Sequence, residues 1–520
     1  MREIRSCRRL RLSAAMILGL CVSTTLHAEA EPSGSAAGTS DDLNVAELAA
    51  SVTHHSGIFH SHKITYTATA GRVPIRAADG SVDAQMFYVA YTMDSAKAAE
   101  RPLVFLSNGG PGAATAWMHL GGIGPAKIKL NTDGSTPPLP VRVIPNPESI
   151  LDRADLVFID APGTGYSRVA SEAAKVRLFA KAGDLAAFAD FIHQYLGTNN
   201  RWASPVYLFG ESYGGMRMAG LTDVLIRRGI PLKGAILLSS LIDDQVVTPS
   251  AINDLPYQLL LPSYASVAAF HGRTAPDAPK DGDALRQEAA TWALQEYGPA
   301  LAKGNRLSEE ERKRIAMGLA RFTGLSLETI ESENLRVNVP SFMQHLLQQP
   351  GIVVGRVDGR ASGPAPSNRV EEPFYDPAMG SLTPAFSSAT SQYLIDELHY
   401  SAPLAYRMYS QDVASRFALA PAAQYGEEGY PQALPALQST LVKNADFRVL
   451  TLNGLYDLAT PYWNIEYSLD HMALPASYRE HATSVRLHGG HMAYADARGL
   501  SELSTSVSEF IARDSNSKGQ

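Results

Sequence analysis

The chain reads as an α/β protein: a mostly parallel central sheet with helices on both faces and a largely helical cap inserted before its last strands. Three observations predict this. Apolar, strand-like runs at 101–106, 154–159, 205–209 and 232–239 alternate with helical patterns, the arrangement of a parallel sheet covered on both sides. A serine stands between two glycines in Gly210-Glu211-Ser212-Tyr213-Gly214, where the run at 205–209 gives way to a helical pattern at 215–228. An aspartate and a histidine, Asp457 and His491, each lie just beyond a further short strand, at 447–452 and 484–487.

At the start of the chain, Arg2, Arg5, Arg8, Arg9 and Arg11 precede an uncharged, mostly apolar run at 12–26, which ends near Ala28-Glu29-Ala30. This pattern reads as a cleavable signal peptide, 1–30, cut after Ala28 or Ala30. The run is shorter than the ~20 residues a bilayer core demands. Arg8-Arg9 leaves both bacterial export routes open, and the bulk of Leu20 before Cys21 argues against a lipoprotein site. The two cysteines, Cys7 and Cys21, both lie in this segment, so the mature chain is expected to have no disulfide and no thiol nucleophile. A large, exported, cysteine-free protein suits a bacterial periplasm or the exterior. The net charge of −7 argues against nucleic acid as a partner. No later apolar run is long enough to span a bilayer, so no stable membrane insertion is expected after cleavage, and nothing sets an oligomeric state.

A flexible leader follows at 31–45, then a first core segment at 46–243, the cap insertion at 244–438 and a second core segment at 439–520. His54, His55, His60 and His62 crowd the start of the core. Alternation would set His60 and His62 on one strand face, where a metal could bind. No carboxylate or cysteine stands at a zinc-site spacing, so a solvated hairpin is the preferred reading and no metal is assigned. Strands at 64–70 and 84–92 follow, with Asp79-Gly80 as a turn between them.

Three loops then converge on the serine. A serine flanked by glycines two residues to either side can occupy a turn so sharp that its hydroxyl projects from the sheet, and side chains at the glycine positions would collide. The run at 101–106 breaks into Asn108-Gly109-Gly110-Pro111-Gly112. In α/β hydrolases the loop after an early strand supplies one oxyanion N–H and the residue after the nucleophile the other, which assigns Gly110 and Tyr213. The run at 154–159 leads into Asp160-Ala161-Pro162-Gly163-Thr164-Gly165-Tyr166-Ser167, and the next helix sets Leu185, Phe188, Ile192 and Leu196 on one face. Ser212, Asp457 and His491, in that order, match the chain order of an α/β-hydrolase triad.

With these motifs together the sequence resembles the serine carboxypeptidase family, in its bacterial exported branch. The resemblance rests on NGGPG from Asn108, GESYGG from Gly210, the aspartate loop with Pro461 four residues on, and GGHM from Gly489, and it extends over most of the chain from about Ile64. It implies an α/β-hydrolase fold, Ser212 as nucleophile, His491 as general base and acid, and Asp457 orienting the imidazole. Asn108 and Glu211 would hold the free α-carboxylate of a peptide, and no cofactor is implied. Two carboxylates repel unless one is protonated, so Glu211 is expected to have a raised pKa and to favour acidic conditions. The sequence departs from the family pattern at Ala113 and Ala114, in the loop at Asp160, which is one residue short, and at Tyr494, where many relatives have proline.

Within the insertion, 285–297, 308–322 and 326–334 read as helices, with Ser308-Glu309-Glu310-Glu311 as a helix start, and 355–373 as a polar loop. Arg356, Asp358 and Arg360 are read first as a structural ion-pair cluster and second as substrate contacts. The function expected is that of an exported serine carboxypeptidase acting on peptides with a free C-terminus. An esterase or acyltransferase on the same triad is the alternative, because one fold hosts many reactions, and a binding protein built on a dead hydrolase is the non-enzymatic one.

Overall fold

A ten-stranded sheet organises the computed structural model, which describes residues 49–94, 97, 100–365, 376–419 and 430–516. The segments expected as a signal peptide and leader, to residue 45, and both cysteines lie outside the described residues. β1 (Ser51–Phe59), β2 (His62–Arg76) and β3 (Val82–Met93) form an antiparallel meander. β4 (Leu103–Ser107), β5 (Asp155–Ile159), β6 (Val206–Glu211), β7 (Gly234–Leu238), β8 (Arg448–Gly454) and β9 (Ala482–Leu487) run parallel to one another. The order is β1-β2-β3-β5-β4-β6-β7-β8-β9, with the two-residue strand Arg168–Val169 pairing on β3. Every residue of β4, β5, β6 and β7 is buried, as strands covered on both faces must be.

Apolar side chains close over each face. One cluster joins Phe59, Tyr91, Trp117 and Phe510; the other joins Phe188 and Ile192 of α1 (Lys181–Thr198) with Leu221 and Leu225 of α2 (Tyr213–Arg227). Each such side chain contributes about 1.5–3 kcal/mol when fully buried. Leu185, expected on the same face of α1, is only half-buried at the edge of its cluster.

The insertion divides in two. α3 (Leu255–Phe270), α4 (Gly282–Trp292) and α5 (Glu309–Thr323) pack into a core of their own through Tyr264, Leu285, Ile315 and Phe322, and Leu458 of the aspartate loop joins it. The expected helix start at Ser308 is a capping box: the Ser308 hydroxyl accepts from Glu311 N–H, and the Glu311 carboxylate accepts from Ser308 N–H. By contrast α6 (Pro377–Asp396) puts Leu382, Phe386 and Tyr393 into a sheet-face core, and α7 (Leu434–Lys443) puts Leu437 and Leu441 into the other. Sequence periodicity overlooks α3 and α6. Each carries an internal proline, Pro262 and Pro384, and α3 is buried around most of its circumference, so it shows no one-sided stripe.

The histidine-rich stretch is a hairpin, but His60 is not on a strand face. His60 and Ser61 form its two-residue turn with φ of 44° and 68°, the conformation such hairpins prefer. The turn delivers His60 Nδ1 and His62 Nδ1 to the two oxygens of Asp152, at 3.0 and 3.1 Å. That carboxylate is some ninety residues away along the chain, so sequence spacing cannot reveal it. No helix among the described residues is long and apolar enough to cross a membrane.

Candidate active site

β6 runs through Gly210 and Glu211 and ends at Ser212, whose φ of 61° and ψ of −129° let α2 begin at the next residue. A non-glycine residue in such a conformation costs of order 1–3 kcal/mol and is held by its surroundings. The two flanking glycines are required by space. A Cβ on Gly210 would stand 2.1 Å from Gly214 O, and one on Gly214 would stand 2.4 Å from Ser107 O.

The glycine loop after β4 lies directly on this turn, since a Cβ on Gly109 would meet Tyr213 N at 2.5 Å. Among the described residues neither Gly110 N–H nor Tyr213 N–H has a hydrogen-bond acceptor. The loop is held from beneath by a buried arginine that sequence reasoning missed. Arg217 donates to Asn108 O at 2.7 Å and to Asp184 at 2.8 Å, and Tyr213 OH donates to the same Asp184 oxygen at 3.1 Å. Its guanidinium lies 4.5 Å from the centre of the Phe188 ring. An arginine on the apolar face of α2 is the signal that could have found it.

Asp457 and His491, expected to meet, do so: Nδ1 lies 2.9 Å from Asp457 Oδ2. Asp457 is 0% exposed. Its Oδ1 accepts the N–H groups of Ala459 and Thr460 at 2.7 and 3.0 Å, and the Thr460 hydroxyl lies 2.8 Å from Oδ2. Thr460, a second residue not anticipated, also lies 2.7 Å from Ser239 O at the end of β7. Burial alone would raise the Asp457 carboxyl, but the His491 charge and these hydrogen bonds outweigh it, so it lies below the usual carboxylate value. Burial alone would lower His491; Asp457 and the Glu211 charge outweigh it, with Arg356 opposing, and the imidazole lies above its ordinary value.

Ser212 is linked to this pair through the sheet, its N–H donating to Leu238 O at 3.0 Å. No hydrogen bond joins its hydroxyl to His491 among the described residues. Such contacts are often long in unliganded sites and tighten with substrate.

Asn108 and Glu211 are also brought together, Asn108 Nδ2 donating to Glu211 Oε2 at 2.8 Å while Asn108 Oδ1 accepts Met118 N–H at 3.0 Å. The second contact fixes which way the amide faces. Tyr494, noted in the sequence only as a departure, donates its phenol to Glu211 at 2.9 and 3.1 Å. Burial pushes Glu211 up to about 7, against the His491 charge and the bonds from Tyr494 and Asn108, and Asp457 adds to the rise. Of the insertion's charged trio, Arg360 pairs with Asp358 at 2.7 Å and Asp496 at 3.0 Å, whereas Arg356 stands apart from this cluster. Among the described residues no group of three or more His, Cys, Asp or Glu side chains could hold a metal ion.

A family model described as serine carboxypeptidase matches residues 63–501. Serine carboxypeptidase-like 7 of Arabidopsis thaliana is 27% identical over 164 residues, 30% of this chain and 36% of the relative. The pheromone-processing carboxypeptidase KEX1 of Saccharomyces cerevisiae is 36% identical over 104 residues, 19% of this chain and 13% of the relative. These matches therefore span a minor part of each relative's length. The crystal structure of that Saccharomyces cerevisiae prohormone-processing carboxypeptidase superposes with a TM-score of 0.53 at 17% identity, covering 87% of this chain and 91% of its own. That likeness establishes the α/β-hydrolase fold. The chain belongs to the serine carboxypeptidase family.

Proposed function

We propose that this protein is an exported serine carboxypeptidase that releases C-terminal residues from peptides through an acyl-enzyme on Ser212. His491 takes the serine proton as the hydroxyl attacks the scissile carbonyl, then passes it to the leaving amine; water, activated by the same imidazole, then cleaves the ester. Asp457 holds the imidazole with Nδ1–H pointing inward. The N–H groups of Gly110 and Tyr213, unpaired among the described residues, are the donors for the oxyanion. Residues 244–438 supply the cap that shapes the mouth. The arginine-rich start and its apolar run favour export through a signal peptide to a bacterial periplasm or the medium.

The observation that carries the exopeptidase reading is Glu211, a carboxylate beside the nucleophile that burial keeps neutral up to about pH 7. A neutral Glu211 can donate its proton to a peptide's terminal carboxylate, with the Asn108 amide beside it. An ionised one repels it. The two titrations help each other: protonating Glu211 removes a charge that raises His491, so the base is more readily neutral where the carboxylate site is competent.

The test is hydrolysis of one blocked peptide, as free acid and as C-terminal amide, followed by mass spectrometry at mildly acidic and neutral pH with Ser212→Ala alongside. Stepwise loss from the free acid alone, faster in acid and absent in the variant, is the expected outcome. Equal cleavage of both forms, or ester cleavage without peptide cleavage, would move the function to the esterase or acyltransferase class.

A further inference from the structure

The segment after the cap's core is laced across both loops that carry the acid and the base. Arg356 O accepts Leu458 N–H at 3.0 Å, Val357 O accepts His491 N–H at 2.6 Å, and Gly359 N–H donates to Tyr456 O at 2.9 Å. Asp376 anchors the segment from behind, accepting the N–H groups of Arg356 and Val357 at 2.8 and 2.7 Å. The backbone of Arg356 is thus fixed beside Asp457 and one residue from the His491 contact.

Its side chain is half-buried and, among the described residues, makes no hydrogen bond or ion pair. Its neighbours differ: Asp358 and Arg360 neutralise each other, and Arg360 also holds Asp496. The Arg356 charge is felt by His491 on one side. On the other it is felt by Tyr409, whose phenol burial pushes up and Arg356 pulls down. Tyr409 is 53% exposed and bridges Ala113, just past the glycine loop. The backbone bonds thus root a half-buried arginine beside the acid and histidine loops, and its charge acts on His491 and on the Tyr409 that bridges Ala113.

Resting on the carboxypeptidase reading, we propose that Arg356 selects peptides with an acidic side chain, Asp or Glu, at a residue flanking the scissile bond. A guanidinium and a carboxylate can form two parallel charge-assisted bonds. The surrounding buried carboxylates would otherwise disfavour such a substrate. A charge-assisted bond at a half-exposed site corresponds to roughly ten-fold in kcat/KM.

The experiment measures kcat/KM for matched blocked peptides with free C-termini, carrying Glu, Gln, Leu or Lys at the last or the penultimate position. It is run at about pH 6, where a peptide Glu is ionised, with the wild type, Arg356→Gln and Arg356→Glu. Both substitutions retain the backbone bonds that hold the segment. The wild type is expected to prefer Glu over Gln about ten-fold at one of the two positions. In Arg356→Gln that ratio falls toward one, and in Arg356→Glu the preference inverts in favour of Lys.

A Glu-to-Gln ratio near one in the wild type at both positions, or a ratio that survives in Arg356→Gln, overturns the inference. So does a uniform loss across the series in Arg356→Gln, which would place the guanidinium on the terminal carboxylate common to all the peptides. Cleavage of the Leu and Gln peptides without advantage to Glu removes only this inference. Failure of the wild type to cleave any free-acid peptide removes the carboxypeptidase reading and the inference with it.

Discussion

Asp457 and Glu211 are both buried carboxylates at the carboxyl ends of parallel strands in one sheet, 0% and 2% exposed, yet one lies below the usual carboxylate value and the other is pushed up to about 7. Burial acts on both in the same direction, so the difference lies in their partners. Asp457 faces His491 and accepts two backbone N–H groups, with a threonine hydroxyl beside it. Glu211 is given a neutral amide and a neutral phenol, and the His491 charge that also reaches it does not offset its burial. The carboxylate held below the usual value is surrounded by donors and a facing imidazole, while the one pushed up is given few.

The largest expected effect breaks the first half of this comparison. Asp457→Asn should lower turnover by about 10⁴ by presenting the wrong imidazole tautomer, and near-normal kcat in a folded variant would remove Asp457 from the triad. Thr460→Val deletes one bond to the same carboxylate, and a loss of roughly ten-fold in kcat with KM nearly unchanged is expected. The second half is tested by pH. In the wild type KM should rise as pH climbs through about 7, because Glu211 then loses its proton. Glu211→Gln keeps a donor at every pH, and its KM should lose that rise; an unchanged KM profile would exclude the proton-sharing role. Tyr494→Phe removes a bond that favours the ionised form, so the rise in KM should move to higher pH, by less than roughly one unit. A shift to lower pH would mean that the phenol stabilises the protonated acid.

Much of the fold was legible because its signals are local. The buried strands are apolar runs, α5 starts with a Ser-x-x-Glu box, and the serine carries glycines at fixed offsets, of which Gly210 is required by atoms within a few residues. Periodicity fails where tertiary burial is on all sides, as in α3, or where a proline is carried inside a packed helix, as in α6. The site divides in the same way. Ser212, Asp457 and His491 could be chosen by motif and order, and Asn108 and Glu211 by resemblance. The bonds from Arg217 to Asp184 and Asn108, from Thr460 to Ser239 and from Tyr494 to Glu211 could not, since each joins residues that the chain alone does not place side by side.

The sequence by itself determined the fold class, the order of the three residues read as a triad and the backbone freedom that Gly110 and Gly112 give the glycine loop. All of these are consequences of periodicity and of sterics over a handful of positions. Tertiary structure alone decided that Asp152 receives two histidines, that Arg360 is paired with Asp358 and Asp496, and that Glu211, 283 residues from Tyr494, is buried against it. Charge state and ion pairing depend on burial and on partners from distant parts of the chain, and those exist only once the sheet and its insertion have closed around them.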